Sequence, residues 1–243
     1  MNVLGIDSSA VTASASVVSD GKIVAEKFIN SGLTHSQTLA PLTIETIENS
    51  GLKLFDMDVI AVAHGPGSFT GVRIGVSFAK GLAQPMEIPC FGVSSLEAAA
   101  YPFKDSGRII MACMDARCNQ LYAAFFEGKN GVLTRLTEDD AISAEKAAEM
   151  LTGFGGKAVI CGDGTDVAFK YITEHKLCEN IDIAIPDGDA KYQRASSVAK
   201  LCEYYMLETD KTPVSPKFLV PFYLRPSQAE RELKNKKTLK KEL

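Results

Sequence analysis

The chain has 243 residues, 46% of them apolar and 23% charged, which excludes collagen-like, mucin-like and disordered chains and fits one or two globular domains. Its 26 basic and 30 acidic groups leave a net charge of −4, a poor global match to a phosphate backbone, which rewards dense Lys and Arg. The balance is uneven, because residues 225–243 hold seven Lys/Arg against three Asp/Glu, net +4, and the other 224 residues sum to −8.

Met1-Asn2-Val3-Leu4-Gly5-Ile6-Asp7 opens the chain without the basic and apolar regions of a secretion signal. Residues 3–6 form a short predicted strand ending at Asp7. A second follows over 13–18, then a turn at Asp20-Gly21 and a third strand over 22–25. Helical spacing predicts a helix over 34–50. The apolar run 59–63 enters Gly65-Pro66-Gly67-Ser68, and helices are expected over 70–84 and 94–101. Pro102–Gly107 then breaks the pattern. Beyond it the opening repeats: strand 109–114 ends at Asp115, strand 121–126 follows, and a turn falls at Lys129-Asn130-Gly131. Strand 158–161 enters Gly162-Asp163-Gly164-Thr165, the counterpart of the first Gly-rich turn. Further helices are expected over 143–152, 164–176 and 194–208. The stretch 211–226, with four prolines, should be extended and cross the surface. The order strand–Asp–hairpin, helix, strand–Gly loop–helix thus occurs twice. It predicts a duplicated α/β fold with lobes at 1–104 and 105–210, followed by a Pro-rich crossing segment and basic tail over 211–243.

An Asp at the end of a first strand, a hairpin loop and a second Asp in the duplicate half suggest the actin-like (ASKHA), ribonuclease-H-like architecture. In that architecture two hairpins flank a phosphate chain. Gly-rich turns at helix starts suit anions, because free N–H groups and the helix dipole point at the ligand. Such turns also arise wherever a strand must bend sharply into a helix. Other chemistry is thin. His35, His64 and His175 form no H-x-x-x-H or H-E-x-x-H pair, so no metal site is expected. There is no G-x-S-x-G elbow and no G-x-x-x-x-G-K-[ST] loop. The six cysteines contain no C-x-x-C pair and read as buried reduced thiols of a cytosolic protein. No stretch approaches the ~18 unbroken apolar residues of a membrane helix. An Asp–Arg pair in Asp115-Ala-Arg-Cys-Asn-Gln-Leu-Tyr122 reads as fixing a turn.

The helix over 71–84 is unusual. Projected at about 100° per residue, its only polar residues, Arg73, Ser77, Lys80 and Gln84, share one narrow stripe. A helix apolar nearly all round is buried on most sides, either in the core of one subunit or against another protein. The second alternative fits a chain with only a thin layer of helices outside its sheets. The helix over 35–50 spreads Leu39, Ala40, Leu42, Ile44 and Ile47 over half its circumference.

Several strings resemble the TsaB family, formerly YeaZ. These are Leu4-Gly5-Ile6-Asp7-Ser8-Ser9, Gly65-Pro-Gly-Ser-Phe-Thr-Gly-Val-Arg-Ile-Gly75, Gly92-Val-Ser-Ser-Leu-Glu97, Met114-Asp-Ala-Arg117 with Tyr122, and Pro221-Phe-Tyr-Leu-Arg225. They span nearly the whole chain in the family's order. The resemblance implies a non-catalytic, activating subunit in bacterial synthesis of N6-threonylcarbamoyladenosine at tRNA position 37. It would act beside the catalytic paralogue TsaD and the ATPase TsaE, and reach tRNA through the complex rather than directly. Neither protease activity nor a cofactor of its own is expected. The partner surface it implies comprises His35, Leu39, Leu42, Thr46, Gly71, Val72, Ile74, Gly75, Phe78 and Leu82, and the isolated chain should dimerise through the same helices. Asp7, Ser8, Ser9, Gly65, Gly67, Ser68, Asp115, Gly162 and Gly164 form a vestigial nucleotide cleft. ATP or ADP binding there should be weak or absent, because Ser9 stands where actin-like ATPases usually carry Gly. The competing reading is an ATP-dependent phosphotransferase using Asp7 and Asp115. A third idea, tRNA binding by Lys234, Lys236, Lys237, Lys240 and Lys241, competes with a solvated tail.

Overall fold

A computed structural model describes residues 1–32 and 34–226. The five lysines of the basic tail lie outside the described residues. The first sheet contains β1 (Asn2–Asp7), β2 (Ala13–Ser19), β3 (Lys22–Ile29), β4 (Val59–Gly65) and β5 (Cys90–Ser94), in the order β3-β2-β1-β4-β5. The second contains β6 (Arg108–Asp115), β7 (Gln120–Lys129), β8 (Val132–Arg135), β10 (Lys157–Cys161) and β11 (Asp182–Ala184), in the order β11-β10-β6-β7-β8, with β9 (Asp140–Ser143) paired to β7. In both sheets an antiparallel meander is extended by two parallel strands. The duplication is therefore a duplication of topology. β5, β8, β9 and β11 were not expected from the sequence: they are three to five residues long, and β5 is interrupted by Gly92.

Both sheets are covered on two faces, which explains their apolar strands. On the first, Leu4, Ile6, Ile60 and Val62 pack with α1 (His35–Ser50) and α2 (Phe69–Ala83). On the second, Met111, Cys113, Phe125 and Ile160 pack with α4 (Ala144–Phe154) and α5 (Thr165–Glu174). Each helix starts where the sequence supplies a break. Ser68 caps α2 by accepting from Gly71 N, Ser143 caps α4, and Gly51 ends α1 in a left-handed conformation.

Chain order and packing part company at two helices. α3 (Ser95–Ala100), from the first half, sends Leu96, Ala99 and Ala100 into the second sheet's Ile110, Ala112 and Met114. α6 (Ala195–Glu208), from the second half, sends Val198, Ala199 and Cys202 onto Val3, Ala61 and Ala63 of the first sheet. Gly5 is small for this reason, since an added Cβ would lie 3.0 Å from Ala199 Cβ and collide with Ala195 O. The helix 194–208, grouped by sequence with residues 105–210, is thus part of the packing of the first sheet.

Beyond α6 the chain forms an extended strap across the first lobe. Cys90 and Val214 exchange backbone hydrogen bonds of 2.8 Å, and Leu219 is buried in the first-lobe core. Five cysteines are buried and Cys118 is exposed. Among the described residues no helix is long and apolar enough to cross a membrane.

Candidate functional site

The two lobes leave a cleft of about 920 Å³. It is bordered by the β1–β2 and β6–β7 loops, the start of α2 and the end of the strap. Asp7, at the end of β1, is 2% exposed and lies behind the cleft lining. One carboxylate oxygen accepts from Ser9 N (2.8 Å) and Ser9 Oγ (2.7 Å), while Oδ2 is buried and has no partner among the described residues. Burial pushes this carboxyl up to about 6, against the two hydrogen bonds that favour its charged form. Gln193 Nε2 completes the knot by donating to Ser9 Oγ at 3.2 Å.

The Gly-rich loop after β4 packs directly against this hairpin. Ser68 N donates to Ser9 O (2.7 Å) and Ser8 Oγ donates to Gly71 O (2.9 Å). A Cβ at Gly67 would collide with Ser9 O, one at Gly71 with Ser8 O, and one at Gly75 would lie 2.6 Å from Ser8 Oγ. The second lobe does the same: a Cβ at Gly162 would collide with Cys113 O, and one at Gly164 would meet Met114 C at 2.8 Å. These glycines serve close backbone packing. At Gly65, with φ +124°, an added Cβ would also strike Phe222 O of the strap. Of the residues proposed for a nucleotide cleft, Asp7, Ser8, Ser9 and Gly65 are buried in the protein's own packing, as are the strand-facing sides of Gly162 and Gly164. Gly67, Ser68 and Asp115 line the open space.

Asp163 also lines the cleft, although nothing in its residue type or spacing separates it from the turn around it. Burial, with the charges of Asp115 and Asp7, pushes its carboxyl up to about 7, opposed by a hydrogen bond from Asp115 N. Asp115 accepts from Arg117 N (2.7 Å) and pairs with its guanidinium (3.2 Å), so this Asp–Arg pair fixes a turn in which Arg117, Cys118 and Asn119 all have positive φ. Among the described residues no group of three or more His, Cys, Asp or Glu is arranged to hold a metal ion.

The second candidate surface is the outer side of α1 and α2. Val72, Val76, Ala79 and Ala83 face the sheet, which accounts for one apolar side of α2. The narrow polar stripe is the seat of the strap. Arg73 Nε donates to Tyr223 OH (2.7 Å), its guanidinium lies 3.8 Å from the Phe69 ring centre, and Lys80 Nζ donates to Leu219 O (3.0 Å). Part of the cover that the sequence assigned to another protein is therefore supplied by this chain. Leu39, Leu42, Thr46, Val72 and Gly75 are buried in this chain's own packing, and Gly71, also buried, borders the cleft. Ile74, Phe78 and Leu82 are half-buried at the rim of the core, with Ile47 beside them and Ile44 56% exposed on α1. His35 is half-buried, with Nε2 2.7 Å from Ala10 O, so it ties the start of α1 to the β1–β2 loop.

Two α/β lobes of one topology, each closing an Asp-ended strand and hairpin onto a Gly-rich loop across a shared cleft, define a duplicated actin-like fold. YeaZ from Pseudomonas aeruginosa superposes with a TM-score of 0.75 at 21% identity, covering 92% of this chain and 99% of that one. The family described as TsaD, tRNA N6-adenosine threonylcarbamoyltransferase, matches residues 23–233. The tRNA threonylcarbamoyladenosine biosynthesis protein TsaB of Bacillus subtilis is 31% identical over 230 residues, 95% of this chain and 96% of the relative. Its namesake in Escherichia coli is 29% identical, over 97% of this chain and 100% of the relative. The chain belongs to the TsaB family.

Proposed function

We propose that this chain is a non-catalytic, activating subunit for synthesis of N6-threonylcarbamoyladenosine at tRNA position 37, in the cytoplasm. It binds a TsaD-type transferase together with a TsaE-type ATPase, and in isolation it dimerises through the same helices. tRNA is met through the assembly, and ATP or ADP binding by this chain alone is weak or absent. The observation that carries this reading is the packing of Ser8 and Ser9 against Gly67, Gly71 and Gly75. That close packing at the first hairpin, with Ser9 where actin-like ATPases usually carry Gly, supports weak or absent nucleotide binding. Ile74, Phe78 and Leu82 supply the apolar surface on which a partner would seat.

The test is reconstitution with purified transferase, ATPase, threonylcarbamoyl-adenylate donor and unmodified tRNA, omitting each protein in turn. Modification that needs this chain, joined to no tight Mg-ATP binding by the chain alone in calorimetry, is the expected result. ATP turnover by the isolated chain that Asp7→Asn or Asp115→Asn abolishes would instead favour a phosphotransferase.

A further inference from the structure

The cleft is floored by carboxylates and rimmed by rings and guanidinium groups. Asp115 and Asp163 line its base, whereas Phe222 and Tyr223, 41% and 40% exposed, stand on the strap at its edge. Tyr223 is held by a stack on Phe69 (4.8 Å between centres) and by Arg73, so its orientation is fixed before any ligand arrives. Arg117, with its side chain 81% exposed, projects from the β6–β7 loop. Arg225 also lines the cleft, and its Nη1 is shielded from solvent without a hydrogen-bond partner among the described residues. A shielded guanidinium nitrogen with no acceptor is costly unless something supplies one. The chain leaves the cleft at Pro226, and the 17 residues that follow carry six Lys/Arg against three Asp/Glu.

Exposed rings beside arginines are the components of a single-stranded nucleic-acid contact. Bases stack on the rings, and the backbone follows the positive charge. The acidic floor repels phosphate, which leaves the backbone at the rim and turns the bases inward. A neutral peptide would satisfy the rings but leave Arg225, which has no ion pair among the described residues, without a counter-charge. We propose that this rim takes unpaired bases of an RNA hairpin loop, with Phe222 and Tyr223 as the stacking surface and Arg225 and Arg117 as phosphate contacts. This rests on the reading of the chain as a subunit of a tRNA-modifying assembly, and it gives the chain an RNA contact of its own inside that assembly.

The test uses an unmodified anticodon stem–loop RNA, the full-length chain and its complex with the transferase, with binding measured across a salt series. Arg225→Ala should weaken binding several-fold and flatten the dependence of log K on log salt by about 0.7, the loss of one single-strand phosphate contact. Arg225→Lys should restore the slope, and ultraviolet cross-links from loop bases should map to Phe222 or Tyr223. Unchanged affinity and slope in Arg225→Ala and Arg117→Ala, or cross-links confined to other subunits, would overturn the assignment. So would loss of transferase binding by these variants with RNA binding intact, which would make the rim a protein contact. Reconstitution with the chain omitted reports separately on the proposed function, whether or not this rim touches RNA.

Discussion

Asp7 is the residue at which burial and hydrogen bonding pull hardest against each other. Ser9 holds one oxygen, the other has no partner among the described residues, and burial wins. A carboxyl whose folded pKa lies above its unfolded value stabilises the fold below about pH 4, and that contribution is lost as the pH rises through the folded value. For Asp7 and Asp163 the loss runs from about pH 4 to about 6 and about 7 respectively. Asp7→Asn keeps an acceptor for Ser9 and removes the buried charge. It should raise Tm by several degrees at pH 8, from roughly 1–2 kcal/mol, and change it little at pH 4. Equal shifts at both pH values, read by thermal denaturation, would contradict this account of the site. The Asp was legible in the sequence as a strand-ending carboxylate. Its unpartnered oxygen was not, because Gln193, the side chain that closes the knot, comes from a loop 186 positions away.

Helix α2 shows what an element's sequence can and cannot declare. Its existence, approximate bounds and narrow polar stripe are readable from spacing, whereas Ser68 and Thr70 both suit the cap by residue type and Ser68 takes it. What the stripe faces was not readable, because a Pro-rich segment some 140 residues later supplies the acceptors for Arg73 and Lys80. The same holds for the exchange of α3 and α6 between sheets: amphipathic spacing marks an apolar face without naming the sheet that receives it. The glycines of α2 separate packing from propensity. Gly71→Ala drives a methyl group into Ser8 O and should cost about 1–3 kcal/mol. Gly81 has nothing within 4 Å among the described residues, so Gly81→Ala should stabilise by about 0.5–1 kcal/mol through helix propensity. Chemical denaturation of both variants checks the pair, and opposite signs are the expected outcome. A charged residue at Gly75 would strike Ser8 and so report on the fold rather than on any partner.

At the scale of the molecule, the lobes are joined by a half-buried ionic knot as well as by the exchanged helices. Arg135 from β8 reaches Glu97 on α3 (3.1 Å) and Asp139 (2.6 Å), Ser94 Oγ donates to Asp139 (2.6 Å), and Tyr205 OH from α6 donates to Glu97. Arg135→Met leaves two half-buried carboxylates without their counter-ion, held only by Ser94 and Tyr205, and should cost about 2–4 kcal/mol in urea denaturation. A loss below 0.5 kcal/mol would show that water already screens them. The acidic balance of residues 1–224 fits a chain that leaves most nucleic-acid contact to other subunits, with positive charge gathered at one rim and beyond Pro226. Phe78→Glu, at a half-buried outer position, should leave Tm within a few degrees and abolish capture of the transferase; intact capture would remove the α2 face from the interface. The most direct test of the whole account is the rate of threonylcarbamoyl transfer to tRNA by purified components, with wild-type chain, Phe78→Glu chain or none. The account predicts full activity only with the wild-type chain, and equal rates in all three reactions would contradict it.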